Sequence, residues 1–401
     1  MPDITIFYDV VCPYAYLGVQ QLRTLQQTHH FTVRWVPILL GGIFRHLKTD
    51  DVPAQTWPAS KQRQLAIDLH RQARKASIPL RYHPHHPLRT VKAMRLLCYV
   101  EQHRPDCLAE ASLRLYKAYW EDSIDITQPD ILNQIASAFD IPTDAFTESD
   151  AKDQLFRNTE EAFQRGVFGV PSFFIGDKMW WGQDRIALFQ HLLISDHQPE
   201  DGWPKGRLQV PKTIEWFHDF SSPFSYLSST QLSKIEERYN IKVEPKPILL
   251  GALFRDIGTP NVPMLAMSPS KQRYMLKDLN DWASFWAVPF GFPAHFPVRS
   301  VLPLRLSILD PGLIPVFYRA FWAEGKNIAD EDVARALIEA EGKDADSLFA
   351  RIPEAKPILF ANTKEAIEKG ICGVPSFHYQ GESWWGQDRI LDAVQFLLDE
   401  D

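Results

Sequence analysis

The sequence predicts an α/β fold with an all-helical insertion, present twice in a chain of 401 residues. The first observation is repetition: VPILLGGIFR at 36–45 recurs as KPILLGALFR at 246–255, identical at 7 of 10 positions. GVPSFFIGDKMWWGQDRI at 169–186 likewise returns at 373–390, identical at 12 of 18 positions. The second observation is that apolar, β-branched runs open and close each copy, whereas the middle carries helical patterns and few strand signals.

The repetition also predicts how the chain is divided into domains. Because a chain of this length exceeds what one hydrophobic core usually supports, two domains are expected. The segment between the two copies is rich in proline, glycine and charge, which is typical of an exposed linker. We therefore expect one domain at 1–196, a linker at 197–211 and a second domain at 212–401.

The first half of each copy predicts a strand, a helix and a second strand. The apolar run DITIFYDV or KTIEWFHDF leads to Pro13 or Pro223, and proline is well suited to the first position of a helix. The second strand ends at Pro37 or Pro247. The long stretch that follows, roughly 60–165 in the first copy, has the pattern of several helices.

The second half of each copy predicts a turn, an apolar hairpin and a last helix. The turn is Gly-Val-Pro-Ser, at 169–172 and again at 373–376, and the last helix is expected to begin near Asp184 or Asp388. The complete pattern is β-α-β, a helical insert, then β-β-α.

Composition argues against several classes of function. The formal net charge of −7 and dispersed Lys and Arg provide no basic stripe, so no nucleic-acid partner is expected. Four cysteines, none at C-x-x-C spacing, argue against a disulfide scaffold or a zinc site and favour a reducing compartment. Prolines break the histidine cluster RYHPHHP, so no metal is expected there. With no long apolar run and no export signal at the start, we expect a cytoplasmic protein without a membrane partner.

Two recurring features carry the chemistry. Cys12 and Ser222 lie between the first strand and the helix that follows it, where free backbone N–H groups favour a thiolate. Val170-Pro171 and Val374-Pro375 precede the third strand, where a cis-proline turn would present main-chain groups to a peptide-like ligand. Either feature alone is a weak signal, but together they are specific.

At these residues the sequence resembles the thioredoxin-like superfamily that contains the DsbA proteins. Within it, the chain resembles the glutathione-dependent 2-hydroxychromene-2-carboxylate isomerases and the kappa-class glutathione transferases. FHDFSSPFSYL, KPILLGALFR, SKQRYMLKDLNDWA, GVPSF and WWGQDRI carry the likeness in the second copy, and the first copy follows it more loosely. The resemblance implies a thioredoxin-like fold, glutathione as cofactor and, since such domains are generally dimeric, an intramolecular pseudo-dimer.

The resemblance also implies roles for individual residues. In the second copy Ser222 would favour the glutathione thiolate, Val374 and Pro375 would pair with the peptide backbone, and Asp388 would receive the γ-glutamyl ammonium. The other implied glutathione contacts in the second copy are Gln387, Lys271 and Asn261. In the first copy the same places belong to Cys12, Lys61, Val170, Pro171, Gln183 and Asp184, with Asp51 in the place of Asn261. The charge of Asp51 would disfavour a nearby carboxylate.

Several alternatives stay open at this point. The preferred function is that of a glutathione-dependent isomerase or transferase acting on an aromatic-derived carboxylic acid or electrophile, with Arg89 and Arg299 meeting the substrate carboxylate. Cys12 could instead support monothiol disulfide exchange, because Ala15 removes the resolving thiol of a C-x-x-C motif. A third alternative is a glutathione-binding pseudo-dimer whose first half has no turnover. Ser222, Asp184 and Asp388 could also simply cap their helices.

Overall fold

The computed structural model describes residues 3–50, 53–193 and 202–400. The chain forms two compact units. The first consists of Met1–Thr56, Ala66–Gln198 and Ser268–Tyr274; the second consists of Trp57–Leu65, Pro199–Met267 and Met275–Asp401. Each unit thus includes a short helical segment from the other copy of the sequence. The linker predicted at 197–211 lies partly outside the described residues, and the predicted domain boundaries stay predictions.

Each unit contains a sheet of four strands with the same topology. In the first the strand order is β2-β1-β3-β4, and in the second it is β6-β5-β7-β8. The first two strands of each copy are parallel, the third pairs antiparallel with the first, and the fourth pairs antiparallel with the third. The strands are β1 (Asp3–Tyr8), β2 (Thr32–Pro37), β3 (Ser172–Ile175), β4 (Lys178–Trp181), β5 (Lys212–His218), β6 (Ile241–Pro247), β7 (Ser376–Tyr379) and β8 (Glu382–Trp385).

The helices of the first copy confirm the predicted order of elements. Helix α1 begins at Pro13 and connects the parallel strands β1 and β2, as the sequence predicts. A short helix that the sequence analysis does not predict, α2, follows the second strand. The helices are α1 (Pro13–Thr28), α2 (Leu40–His46), α3 (Ala59–Lys75), α4 (Val91–His103), α5 (Leu108–Trp120), α6 (Pro129–Ser137), α7 (Ser149–Gln164) and α8 (Ile186–Phe189).

The helices of the second copy follow the same plan. They are α9 (Pro223–Ser229), α10 (Leu232–Tyr239), α11 (Leu250–Ile257), α12 (Pro269–Phe285), α13 (Val301–Leu309), α14 (Ile314–Trp322), α15 (Glu331–Ala340), α16 (Ala345–Ala350), α17 (Ile352–Glu368) and α18 (Ile390–Asp399). Together with the sheets, they confirm the predicted β-α-β, helical insert, β-β-α pattern in both copies.

The first helix of the second copy is interrupted, where the sequence predicts one continuous helix. Three consecutive hydroxyl side chains, Ser228, Ser229 and Thr230, each donate to the carbonyl three residues earlier, at 2.9, 2.6 and 2.7 Å. Such bonds compete with the helical N–H donors for the same carbonyls. The helix therefore ends at Ser229 and resumes as α10 at Leu232.

Two further observations concern the helices and the cysteines. Within the described ranges, every helix is too short or too polar to cross a lipid bilayer. All four cysteines lie in the described residues and all are free thiols, three of them buried.

Candidate functional site

Ser222 lies at the start of α9, directly beyond the end of β5. Its Oγ accepts a hydrogen bond from the Ser225 N–H at 3.2 Å and donates one to the Val374 carbonyl oxygen at 3.0 Å. The peptide bond between Val374 and Pro375 is cis, as the sequence predicts. The helix start and the cis-proline turn therefore meet at one side chain, which is only 5% exposed.

Cys12 occupies the matching place in the first unit. Its Sγ donates to the Val170 carbonyl oxygen at 3.2 Å, and the bond between Val170 and Pro171 is also cis. The thiol is 9% exposed. The two copies thus hold a sulfur atom and an oxygen atom in the same scaffold position.

Burial controls the protonation of Cys12. It raises the pKa of the thiol to about 12, and the nearby charge of Asp9 adds to this effect. The backbone N–H groups of Ala15 and Tyr14 lower the pKa, in the direction expected of a helix start, but by less. At neutral pH Cys12 is therefore a thiol. The helix start does favour a thiolate, as the sequence predicts, but desolvation has the larger effect on the pKa.

A buried aspartate, which is not among the predicted site residues, supports each helix start. Asp219 accepts hydrogen bonds from the backbone of Ser221 at 2.9 Å and of Leu250 at 2.8 Å. The Ser300 hydroxyl is a further partner. Burial raises the pKa of this carboxyl, and these hydrogen bonds oppose the rise. One side chain thus fixes the loop before Ser222, the start of α11 and the start of α13.

Asp9 has the same role in the first unit. Its carboxylate accepts from the backbone of Val11 at 3.1 Å, the backbone of Leu40 at 2.9 Å and the Thr90 hydroxyl at 2.8 Å. The signal that could have found both residues is their position, because each aspartate lies three residues before Cys12 or Ser222 in both copies.

A tryptophan ring lies against the glycine that begins each Gly-Val-Pro-Ser turn. A Cβ placed on Gly373 would lie 2.7 Å from Nε1 of Trp385, and one on Gly169 would lie 2.7 Å from Nε1 of Trp181. No real Cβ tolerates such an approach. Glycine is therefore required in both turns by the close contact with the ring.

The predicted last helices begin with a single 3-10 turn, at Gln183–Arg185 and at Gln387–Arg389. Asp184 pairs with Arg185 at 3.0 Å, and Asp388 pairs with Arg389 at 3.2 Å. Oε1 of Gln183 accepts from Gln21 of α1 at 2.6 Å. Nε2 of Gln183 and Nε2 of Gln387 are buried and have no hydrogen-bond partner among the described residues.

The two predicted lysines lie in unexpected places. Lys61 belongs to the second compact unit, where its Nζ lies 4.2 Å from the ring centre of Trp57 and 5.8 Å from that of Trp385. Burial lowers the pKa of Lys61. Lys271 belongs to the first unit, with its Nζ 4.8 Å from the ring centre of Trp181. Each lysine thus lies beside the turn of the other copy of the sequence.

Hydrogen bonds hold both lysine-bearing helix starts in these positions. Gln64 of α3 donates to the Ser383 carbonyl at 2.9 Å within the second unit. Within the first unit, Tyr274 of α12 accepts from the Trp181 N–H at 2.9 Å. The placement of the lysines therefore follows from anchored helices.

Three of the remaining predicted residues, Asn261, Arg89 and Arg299, lie at the surface. Asn261 is exposed, and a Cβ on Gly251 would lie 2.9 Å from its Oδ1. Asp51 lies outside the described residues. Arg89 and Arg299 are exposed at the ends of the loops that lead into α4 and α13. Within the described part of the chain, no His, Cys, Asp and Glu side chains are grouped to hold a metal ion.

Comparison with known proteins identifies the family of this chain. A family model, the DSBA-like thioredoxin domain, matches residues 3–193 and again residues 213–397. A 2-hydroxychromene-2-carboxylate isomerase of Sphingobium xenophagum is 30% identical over 202 residues, which are 47% of this chain and 100% of the relative. Glutathione S-transferase kappa 2 of Caenorhabditis elegans is 28% identical over 210 residues, which are 47% of this chain and 92% of the relative.

A solved structure of a 2-hydroxychromene-2-carboxylate isomerase aligns with 47% of this chain and 93% of its own, at 23% identity and a TM-score of 0.41. The family model covers nearly all of each copy separately, from the first strand to the last helix. The chain belongs to the DSBA-like thioredoxin domain family and carries that domain twice.

Proposed function

We propose that this protein is a glutathione-dependent isomerase or transferase whose principal site is built around Ser222. The observation that carries the proposal is the position of Ser222 Oγ, between the Ser225 N–H and the carbonyl that precedes cis-Pro375. The relatives named as 2-hydroxychromene-2-carboxylate isomerases and kappa-class glutathione transferases support it.

The serine hydroxyl can stabilise a thiolate without reacting itself. Rotation about the Cβ–Oγ bond turns its hydrogen from the Val374 carbonyl towards a sulfur atom. The helix N–H groups around Ser222 add positive potential at the same place. A hydrogen bond to an anionic sulfur lowers the thiol pKa, so glutathione would reach its reactive form near neutral pH.

The reaction then needs no oxidant or metal. The thiolate adds to an electron-poor unsaturated carbon of an aromatic-derived acid, forming a carbon–sulfur bond while the π electrons move onto the conjugated carbonyl oxygen. Rotation about the new single bond is followed by return of those electrons and loss of the thiolate, which gives the isomer. With an electrophile that carries a leaving group, the conjugate is the product instead. The protein contributes thiolate stabilisation and positioning.

The cis-proline turn and the last helix would hold the rest of glutathione. Val374 and Pro375 offer main-chain groups to its backbone, and Asp388 lies at the start of the last helix as a partner for its ammonium. Lys61, in the same compact unit, would meet a carboxylate. Asn261 and Gln387 are secondary contacts in this proposal, and Arg299 is available to the acid substrate.

The first site would bind glutathione through the equivalent residues, with Cys12 as a supporting group. Burial favours this role over disulfide exchange, because exchange requires a thiolate and the pKa of Cys12 is raised to about 12. The equivalent contacts are Val170, Pro171, Asp184, Gln183 and Lys271, with Arg89 beside the acid substrate.

Substitution of Ser222 tests the proposal directly. We expect Ser222→Ala to lower glutathione-dependent turnover of a hydroxychromene-carboxylate about 100-fold, since loss of one preorganised donor to a developing anion has an effect of this order. Turnover of the full-length chain is followed by absorbance at saturating and limiting glutathione. The Cys12→Ala variant, measured alongside, reports the contribution of the first site.

Ser229→Ala is the matched control, because Ser229 lies on the same helix and its Oγ donates only to the Tyr226 carbonyl at 2.6 Å. Its turnover should equal that of the wild type. Equal turnover in Ser222→Ala and Ser229→Ala would contradict the role given to Ser222.

A further inference from the structure

An aromatic cluster lies beside each sulfur position. In the first unit Nε1 of Trp120 donates to the Val10 carbonyl at 2.8 Å, and Val10 lies two residues before Cys12. In the second unit Nε1 of Trp322 donates to the Phe220 carbonyl at 2.9 Å, two residues before Ser222. The ring of each tryptophan is thereby fixed against the loop that carries the sulfur-binding side chain.

In each unit, the loop before α4 or α13 places a half-exposed aromatic ring against the tryptophan. Tyr82 packs edge-on against Trp120, with ring centres 5.3 Å apart, and Phe292 packs edge-on against Trp322 at 5.7 Å. Both outer rings are 38% exposed. Burial raises the pKa of Tyr82 to about 12, and the charge of a Cys12 thiolate adds to the rise, which agrees with a hydroxyl close to the sulfur position. These rings form a wall beside the place where the electrophile that reacts with the glutathione thiolate would bind.

The wall of the first unit is polar. His86 lies against Trp120 with ring centres 5.1 Å apart, and its Nδ1 lies 2.8 Å from the Tyr119 hydroxyl. Because that hydroxyl accepts the Leu88 N–H at 3.1 Å, its own hydrogen is free to be donated to Nδ1. Burial lowers the pKa of His86 to about 4, so the ring is neutral. In the tautomer that accepts the Tyr119 hydrogen at Nδ1, the ring hydrogen is on Nε2. In that tautomer Nε2 of His86 and Oη of Tyr82 are two donors of the wall beside Trp120.

The wall of the second unit has the same geometry and no polar atom at the corresponding places. Phe292 stands where the first copy has Tyr82, Phe296 where it has His86, and Phe321 where it has Tyr119. Phe296 lies 6.0 Å from Trp322 and 4.9 Å from Phe292, between ring centres. Phe321 lies 4.9 Å from Trp322. Three hydrogen-bonding side chains have therefore been exchanged for phenyl rings, while the central tryptophan stays.

We infer that the two sites accept different electrophiles: the first takes one with a hydrogen-bond-accepting group on its ring, and the second takes an unsubstituted apolar ring. The inference rests on the proposed glutathione function. A carboxylate carried on the aromatic ring itself would lose its water at the second wall without a replacement donor, whereas Nε2 of His86 and Oη of Tyr82 replace that water in the first. The acid group of the substrate in the proposed function lies outside the aromatic ring and would meet Arg299, so that substrate still presents an apolar ring to the second wall. An apolar ring in the first wall would leave those donors unpaired.

Titration calorimetry of the full-length chain with two glutathione conjugates measures the affinity of each site for the two kinds of ring. S-benzylglutathione carries an apolar ring, and S-(4-carboxybenzyl)glutathione carries the same ring with one acceptor group. We expect each conjugate to bind one site at least ten-fold more tightly than the other. In Tyr82→Phe/His86→Phe, the tight site for the carboxybenzyl conjugate should weaken at least ten-fold, and the benzyl conjugate should gain a second tight site.

Tyr99→Phe/His103→Phe is the matched control, since these two residues form a stacked pair on α4, with ring centres 4.0 Å apart, outside the wall. Glutathione itself is titrated into every variant as a measure of the intact peptide site. If both sites prefer the same conjugate, or if the wall variant behaves like the control, the inference is overturned while the proposed function stands. If glutathione does not bind the wild type, the proposed function fails and the inference fails with it.

Discussion

The two copies hold the same scaffold around different atoms, a sulfur in the first and an oxygen in the second. Sγ of Cys12 and Oγ of Ser222 donate to the carbonyl before a cis-proline, at 3.2 and 3.0 Å, and each helix start is supported by a buried aspartate. The difference lies in what the atom can do, because a buried hydroxyl stays a donor whereas a buried thiol could become a nucleophile. If the proposed function is correct, the chemistry of each copy would be set by this one side chain and by the wall beside it.

The reactivity of Cys12 is the strongest test of this comparison. With the pKa raised to about 12, the thiolate fraction near pH 7 is roughly 3,000-fold lower than for an ordinary thiol of pKa ~8.5. The protonated form is favoured by folding, so alkylation of Cys12 by iodoacetamide should rise about ten-fold per pH unit from pH 7 to pH 11. Mass spectrometry of the labelled peptide measures the rate.

The same peptide labelled in denaturant is the control, and its rate should level off near pH 9. A plateau below pH 8 in the folded protein, or a glutathione mixed disulfide formed rapidly on Cys12, would favour the disulfide-exchange alternative and would separate the two copies in mechanism as well as in residue.

The glycines of the two turns test the shared scaffold. Gly373→Ala forces Nε1 of Trp385 away from a Cβ at 2.7 Å, so we expect a loss of about 2 to 3 kcal/mol in the free energy of unfolding. Gly169→Ala meets Trp181 at the same distance and should have a similar effect. Urea denaturation measures both variants.

Gly41→Ala is the control for these substitutions, since nothing lies within 4 Å of its added Cβ. It should leave stability unchanged or raise it slightly, because alanine favours the helix. A large cost at one turn and none at the other would show that the scaffolds have diverged as well.

Of the substitutions predicted to change a measured quantity, replacement of Lys61 has the smallest expected effect. Lys61 lies in the compact unit of Ser222, beside Trp385, although it belongs to the first copy of the sequence. We expect Lys61→Met to raise the KM for glutathione about five-fold in the Ser222-dependent reaction and to leave kcat unchanged, as one partly exposed ion pair is worth up to about 1 kcal/mol.

Lys271→Met is the matched variant and should leave the Ser222-dependent KM unaltered, since Lys271 lies beside Trp181 in the other unit. The reverse result, with Lys271→Met raising the KM and Lys61→Met silent, would assign each lysine to the site of its own copy.

Much of the fold could be predicted because its signals are local. Pro13 and Pro223 open their helices and the two Val-Pro bonds are cis, since proline restricts the backbone at its own position. The break between α9 and α10 was missed, although the hydroxyls of Ser228, Ser229 and Thr230 that compete for helical carbonyls are visible in the sequence.

The sequence by itself determined the duplication, the order of elements and the pairing of Cys12 with Ser222, because repeated blocks and prolines act on neighbouring residues. Only the tertiary structure decided three further matters: the pKa of Cys12, the unit that each lysine joins and the partners of Asp9 and Asp219. The pKa depends on desolvation by packed atoms, and the contacts join residues far apart in the chain. No local pattern encodes either one.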